Sequence, residues 1–356
     1  MDIKNIVHIA SNPNLQRVAA KAAELQKANY IKTHGKRGLP LRVGTRGSPL
    51  ALVQTRNFLT LLTQFCPLLR QIGAFEEFQI HTSGDRIQDR RLAEIGGKGL
   101  FAKEIHEQLL EGNIDFAVHS LKDLETDLPK GLVLACTLKR QDARDALIVR
   151  SEYQPIDSKN PFDVLPKGAL IGSSSVRRQA QLLHYRPDLK FGLLRGNIQT
   201  RLDKITSKQF DATLLAAAGL QRLDMEHRID VLIDPSIMVP AAGQGIVGIT
   251  VREKDTELLE MLSAIENREA KAVSSAERAL LAELDGSCRT PIGGYARVVS
   301  FPGQEERLHL TGLVAREDGS FLIKKDVIGT LEEAELIGHE LGKQLRKDSP
   351  NDIFES

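Results

Sequence analysis

The sequence predicts an α/β protein that ends in a small α+β region, and three observations carry that prediction. Between Leu41 and Val251, short apolar runs alternate with helical segments, the pattern of strands joined by helical crossovers. From Ala276 onward the pattern changes to one helix, three β-rich stretches and a final helix. The chain has 356 residues, 41% of them hydrophobic. At roughly 100–200 residues per domain it holds two or three domains with ordinary cores.

The elements follow in order. Residues 1–40 read as an N-terminal extension, with an Ala-rich stretch at 15–25 and a Gly/Pro-containing linker at 34–40. Residues 41–45 form the first strand, and Pro49 suits the first turn of the helix that follows. Strands at 78–82 and 114–119 flank a helix at 100–110 that stops before Gly112. Apolar segments at 132–138, 146–149, 169–171 and 213–218 predict further strands, with a helix at 176–185. A strand at 246–251 follows the Pro240-Ala-Ala-Gly-Gln-Gly245 loop. Helical crossovers between these strands imply a largely parallel sheet. In the last part, Ser274-Ser-Ala-Glu277 reads as a capping box for a helix at 276–284, and Gly286 as its stop. Strands at 295–301, 308–315 and 321–328 precede a helix with Leu331, Ala334, Ile337, Leu341 and Leu345 on one face.

Charge and composition exclude several classes. Lys and Arg total 48 against 47 Asp and Glu, a net charge of +1, which argues against a nucleic-acid binder. Aromatics are 4% with no Trp, too few for stacking platforms. The three cysteines, Cys66, Cys136 and Cys288, are far apart and odd in number. A disulfide scaffold or a cysteine-rich zinc site is therefore not expected, and no metal is assigned. Cys66 and Cys136 lie among apolar residues and are expected to be buried and inert. No apolar run reaches transmembrane length, and the Met1-Asp-Ile-Lys-Asn start lacks a secretory signal. The expectation is a cytoplasmic protein without membrane contact. No coiled-coil pattern is present, so a monomer is expected.

Three constellations carry chemistry. The first is basic. Ile171-Gly-Ser-Ser-Ser-Val-Arg-Arg178 runs from a strand into a helix, where Ser173, Ser174 and free backbone N–H groups favour an anion. Arg177 and Arg178 add bidentate donors, and Arg195, Arg201 and Arg222 follow shortly after. Gly44-Thr-Arg-Gly-Ser48 repeats this strand–turn–helix chemistry with Arg46 and Ser48. Several arginines at strand ends face the crevice where open α/β sheets bind ligands. Carboxylates and phosphates fit such a set equally. Gly96-Gly-Lys-Gly99, containing Lys98, fails as a phosphate loop because Gly99 replaces the required Ser/Thr.

The second constellation is His119-Ser-Leu-Lys-Asp123, at the end of a strongly apolar strand. Asp123 suits either protonation of a leaving group or stabilisation of a developing cation, while His119 reads as a core histidine. The third is Cys288, inside Asp285-Gly-Ser-Cys-Arg-Thr-Pro-Ile-Gly-Gly294. A Gly-flanked loop cysteine beside Arg289 suits a stabilised thiolate and covalent attachment. No His/Asn protease context accompanies it.

In order along the chain, Gly44-Thr-Arg-Gly-Ser-Pro-Leu-Ala51, Gly96-Gly-Lys-Gly-Leu-Phe101, His119-Ser-Leu-Lys-Asp123, Ser173-Ser-Ser-Val-Arg-Arg-Gln179, Leu194-Arg-Gly-Asn197, Pro240-Ala-Ala-Gly-Gln-Gly245 and Gly286-Ser-Cys-Arg-Thr-Pro-Ile-Gly293 resemble the porphobilinogen deaminase (hydroxymethylbilane synthase) family. The resemblance implies two periplasmic-binding-protein-like α/β lobes plus a small α+β C-terminal domain. Domain 1 would take residues 41–139 and 240–263, domain 2 residues 140–239, and domain 3 residues 264–356. It implies a dipyrromethane cofactor in thioether linkage to Cys288. It also implies head-to-tail condensation of four porphobilinogen molecules into hydroxymethylbilane with loss of ammonia, a step of tetrapyrrole biosynthesis. By motif match, Arg46, Arg177, Arg178, Arg195, Arg201 and Arg222 would bind substrate or cofactor carboxylates on one crevice, helped by Ser48, Lys122, Ser173 and Ser174. Asp123 would be the catalytic carboxylate, stabilising the azafulvene cation left when ammonia departs. Lys98 and Gln244 would lie near the cleft. The chain departs from the family pattern at Glu125, where many relatives have Pro, at Ser173 for Thr, and at Glu94 for Lys. Two other readings compete on the residues alone. A two-lobed anion-binding protein without catalysis would need no Cys288-bearing third domain, and a nucleotide-dependent transferase would need the Gly96–Gly99 loop to hold phosphate.

Overall fold

The computed structural model of the chain describes residues 39–70, 73–87, 99–284, 290–300, 302–303 and 305–354. The N-terminal extension up to residue 38, Glu94, Lys98, Gly286 and Cys288 lie outside them.

In chain order, the first part contains β1 (Leu41–Arg46), α1 (Pro49–Phe65), β2 (Phe75–Ile80), α2 (Ser83–Arg86), α3 (Lys103–Leu110), β3 (Phe116–Ser120) and β4 (Leu132–Thr137). The middle contains β5 (Asp145–Val149), β6 (Leu170–Gly172), α4 (Val176–Tyr185), β7 (Lys190–Gly192), α5 (Ile198–Thr206), β8 (Ala212–Ala216), α6 (Ala217–Arg222) and β9 (Val231–Leu232). Then follow β10 (Val247–Arg252), α7 (Thr256–Ser263), α8 (Arg268–Glu283), β11 (Ile292–Val299), β12 (Arg307–Ala315), β13 (Leu322–Gly329) and α9 (Ala334–Asp348).

Two sheets of five strands, β2-β1-β3-β10-β4 and β7-β6-β8-β5-β9, and one of three, β11-β12-β13, result. The five-stranded sheets are mixed, which corrects the expectation of a largely parallel sheet. β1 runs parallel to β2 and β3, but β10 is antiparallel to both β3 and β4. In the second sheet β6 is parallel to β7 and β8, while β5 is antiparallel to β8 and β9. The reason lies in the connections. The chain passes between the sheets twice, from β4 to β5 and from β9 to β10. A strand that arrives from the other sheet enters against the direction set by the local helical crossovers.

Ser48 starts α1 by accepting from the Ala51 N–H at 3.3 Å, and Pro49 stands in the first turn. The C-terminal helix pair needs a second correction. α8 starts at Arg268, where Asn267 accepts from the Ala270 N–H at 2.8 Å. Ser274 and Glu277 are therefore interior helix positions, not a capping box, and both are buried. The predicted start was late because the first turns of α8, with Arg268, Glu269 and Lys271, carry charge that hid the apolar stripe.

Each sheet has its own core. Phe58, Leu62, Phe116 and Ile249 are fully buried in the first, and Leu147, Ile171, Leu182 and Leu214 in the second. A third cluster joins α8, α9 and the three-stranded sheet through Val273, Leu280, Leu310 and Leu341. Leu121 and Leu124 belong to that third cluster, although they directly follow β3 of the first sheet. Burying such a Leu contributes roughly 1.5–3 kcal/mol, so the turn between them is pinned from two directions.

Candidate active site

The site grows from the C-terminal ends of β1, β3 and the strands facing them in the second sheet. β1 delivers Arg46, and β3 delivers a single 3-10 turn, Leu121–Asp123. A cavity of about 390 Å³ between the two sheets is lined by Arg46, Ser48, His81 and Asp85 on one side and by Arg195 and Arg201 on the other.

Arg46 organises the first wall. Its Nε lies 3.2 Å from Asp85 Oδ2, and its Nη2 meets the other carboxylate oxygen. Its guanidinium stacks on the Phe101 ring at 4.1 Å, and its Nη1 reaches to 3.8 Å from Asp123 Oδ2. Burial raises the Asp85 carboxyl, but Arg46 and Thr82 outweigh it and hold the group below the usual carboxylate range. On the opposite wall, Arg195 is 8% exposed and donates to the Gly84 carbonyl at 2.9 Å, tying one sheet's loop to the other's. Arg201 donates through Nε to the Gly196 carbonyl at 2.9 Å. Desolvation and the repulsion of Arg178, Arg195 and Arg46 pull Arg201 down to about 10, against the attraction of Asp123. The cations therefore share one field.

Asp123 keeps its side chain 32% exposed. Lys122, one residue earlier, lies at hydrogen-bond range of Gln244 Oε1, 3.4 Å away. Lys122 opens onto the cleft, yet the walls crowd it. Desolvation, helped by Arg178 and Arg177 and opposed by Asp123 and Asp145, pulls its pKa to about 8. A smaller cavity of about 30 Å³ is lined by Lys122, Arg222, Gln54 and Ser120. Arg222 donates to the Gly245 carbonyl at 2.7 Å, and burial lowers it to about 10.

The structure separates Arg177 and Arg178 from this group. They are 6% and 7% exposed and close on Asp145, Arg177 Nη2 at 2.8 Å and Arg178 Nη2 at 2.7 Å. Their other donors reach the Val239 and Leu214 carbonyls. Burial raises Asp145, but the two arginines outweigh it and keep the carboxylate ionised. Ser173 is buried and accepts from the Ser175 N–H at 3.1 Å, and Ser174 is half-buried. Ser173, Ser174, Arg177 and Arg178 line neither cavity. They form the floor behind it, joined to the cleft by Gln244, whose Nε2 donates to Asp145 Oδ1 at 3.0 Å.

His119 is a core histidine, as its sequence context suggests. Its Nε2 pairs with Thr250 Oγ1 at 2.9 Å, and burial, with the nearby His106 and Arg46, lowers it to about 3. Cys136 is buried, and desolvation pushes its thiol up to about 12. Cys66 is half-buried and also raised by burial.

Sequence reasoning missed Asp85, Phe101, Asp145 and Gln54. Asp85 carried one usable signal, the Thr82-to-Asp85 capping box. Asp145 carried none, since its partners lie far along the chain.

The cavity's donor set, with planar guanidiniums on both walls and its one lining carboxylate, Asp85, held by Arg46, fits a ligand bearing several carboxylates. At the start of β11, the Gly294 N–H donates to the Pro240 carbonyl at 3.0 Å. That contact lies on the same crossover that carries Gln244 to Lys122.

Fold and site together define a two-lobed α/β protein with a third small domain and a cationic interlobe cleft. The description "Porphobilinogen deaminase, dipyromethane cofactor binding domain" matches residues 41–260, and "Porphobilinogen deaminase, C-terminal domain" matches residues 271–347. The porphobilinogen deaminase of Alkaliphilus metalliredigens is 42% identical over 316 residues, covering 89% of this chain and 95% of that protein. That of Paracoccus denitrificans is 45% identical, covering 89% and 96%. Similar solved structures include the periplasmic VFT2 domain of Bordetella pertussis BvgS, at 17% identity and TM-score 0.37, covering 71% of this chain and 97% of that one. The chain belongs to the porphobilinogen deaminase family, and is a transferase with a dipyrromethane-cofactor-binding domain.

Proposed function

We propose that Asp123 is the catalytic residue of this transferase and that the arginines of the cleft hold the carboxylates of porphobilinogen and of the growing chain. The observation that carries this reading is the partly exposed Asp123 carboxylate 3.8 Å from Arg46, an arginine that lines the cationic cavity. The dipyrromethane group, when bound through Cys288, supplies the pyrrole carbon from which the chain grows. Each condensation breaks the aminomethyl C–N bond of porphobilinogen, with ammonia taking the electron pair. The free α-carbon of the neighbouring pyrrole then attacks the methylene cation left behind, forms the C–C bond and loses its proton. Asp123 lowers the cost of the positive charge that develops as the C–N bond breaks. Arg46, Arg195, Arg201 and Arg222, with Ser48 and Lys122, orient the carboxylates. Arg177 and Arg178 act from behind, as the cationic floor under Gln244, with Ser173 and Ser174 at the helix start beside them.

The same reading assigns residues 41–139 and 240–263 to domain 1, residues 140–239 to domain 2 and residues 264–356 to domain 3. The two passages between sheets support these boundaries. The reading also takes the protein as a cytoplasmic monomer; among the described residues no helix is long and apolar enough to cross a membrane.

Intact mass spectrometry tests the cofactor assignment. The protein as purified, or after incubation with porphobilinogen, is expected to carry a dipyrromethane adduct that Cys288→Ser lacks. A bare sequence mass under both conditions contradicts it.

A further inference from the structure

Behind the catalytic turn lies a pair of titratable groups that the reaction does not use. Glu125 follows Asp123 by two positions, yet its carboxylate points inward, 10% exposed, toward His106 on α3, which is 2% exposed. Glu125 Oε1 is 3.7 Å from His106 Nδ1. Glu125 Oε2 and both ring nitrogens of His106 are buried with no hydrogen-bond partner among the described residues.

The same carboxylate is wedged under the turn that opens α3. A Cβ on Gly99 would sit 2.2 Å from Glu125 Oε1, and Gly99 has φ +78°. That turn leads directly to Phe101, the ring beneath Arg46. From the other side Arg278, on α8, donates to the carbonyls of Glu125 and Thr126 at 2.7 and 2.9 Å. Glu125 thus touches both supports of the catalytic pair: the turn carrying Asp123 and the turn carrying the platform of Arg46.

At 3.7 Å the two groups make no hydrogen bond, and they attract as an ion pair only when the pair holds one proton, on His106. With no proton, a carboxylate is left unpaired in the interior. With two, an imidazolium faces a neutral acid. The surroundings add His119 on β3, whose ring centroid is 5.7 Å from that of His106, and the charges of Arg46 near His119 and of Arg278 and Asp127 on the α8 side.

We propose that Glu125 is a positioning residue, which, by pairing with His106 beneath the Gly99 turn, sets the Asp123 turn against the Gly99–Phe101 turn and so fixes Asp123 relative to Arg46. The proposal rests on the catalytic reading of Asp123. It acts through geometry, so it governs turnover and not substrate capture.

The test uses full-length enzyme whose cofactor loading is checked by intact mass, with four variants side by side. Glu125→Ala is expected to lower kcat at least fivefold with KM within twofold. Glu125→Gln keeps the volume and donates to His106 Nδ1, so it is expected to recover most of that loss. His106→Leu is expected to match Glu125→Ala. By NMR, the titration midpoint of His106 is expected to fall by at least one pH unit in Glu125→Gln, because the facing negative charge is gone. Wild-type kcat in Glu125→Ala, or an unmoved His106 midpoint in Glu125→Gln, overturns the proposal. Asp123→Asn separates the two readings. If it retains wild-type turnover, the catalytic assignment fails and this proposal with it. If it loses turnover while the Glu125 variants do not, only the positioning role fails.

Discussion

Asp123 and His119 sit four positions apart on one strand and its following turn, and their surroundings give them opposite tasks. Asp123 is partly exposed beside Arg46, whereas His119 is closed in against Thr250. That difference was legible in sequence only as position, one residue inside an apolar strand and the other just past its end. The arginines were legible as a set but not one by one. Arg46, Arg195 and Arg201 reach the cavity, while Arg177 and Arg178 spend their donors on Asp145. A sequence cannot show that sorting, because the deciding carboxylate enters from a different strand. Arg201→Gln is expected to raise the KM for porphobilinogen about tenfold with a smaller change in kcat, measured by steady-state kinetics. An equal loss in kcat and in kcat/KM, with KM unchanged, would show that Arg201 acts on the transition state instead. His119 gives a stability prediction. Its folded pKa, about 3, lies below the ordinary 6.5, so it contributes stability that is complete above 6.5 and is lost as pH falls toward 3. His119→Gln, which keeps a partner for Thr250, is expected to flatten that fall in denaturant titrations.

Among the elements, strands and helices with clean apolar periodicity were visible, and those that depend on partners were not. Helices α5, α6 and α7 are short, and α6 begins directly where β8 ends, so no turn signal separates them. α8 shows the stronger lesson. Glu277 looked like a capping residue but is a fully buried hub, accepting from Arg140, from the Gly243 N–H and from the Ala296 N–H. The polar pattern of a cap and that of a buried ion pair are the same in one dimension. At the start of β5, Asp145 bridges Arg177 and Arg178 of α4. Asp145→Asn leaves two buried guanidiniums short of their countercharge and is expected to cost about 3–5 kcal/mol. A loss under 1 kcal/mol in urea unfolding would contradict that role. The sign with pH follows. The folded pKa of Asp145 is depressed, so its stabilisation is present above its ordinary 3.8 and disappears as pH falls below it.

For the whole molecule, the sequence carried the division into two α/β lobes and a small third part, but not the direction of β5 and β10. Strand direction depends on the chain crossing between lobes twice, and local periodicity says nothing of where a strand comes from. The near-neutral total charge also concealed a local excess, since the cleft gathers arginines from both lobes and leaves the balance to the remaining surface. Arg195 crosses that cleft to the Gly84 carbonyl, so Arg195→Ala is expected to loosen the lobes and raise protease sensitivity at the interlobe passages. Unchanged digestion would argue against a bridging role. The central claim is that one carboxylate, Asp123, drives chemistry in a cleft whose arginines only hold the substrate. The direct measurement is the turnover of Asp123→Asn on protein shown by intact mass to carry its cofactor. The account predicts a normal adduct and a loss of porphobilinogen consumption of at least a hundredfold, while near-normal consumption by the loaded variant would contradict it.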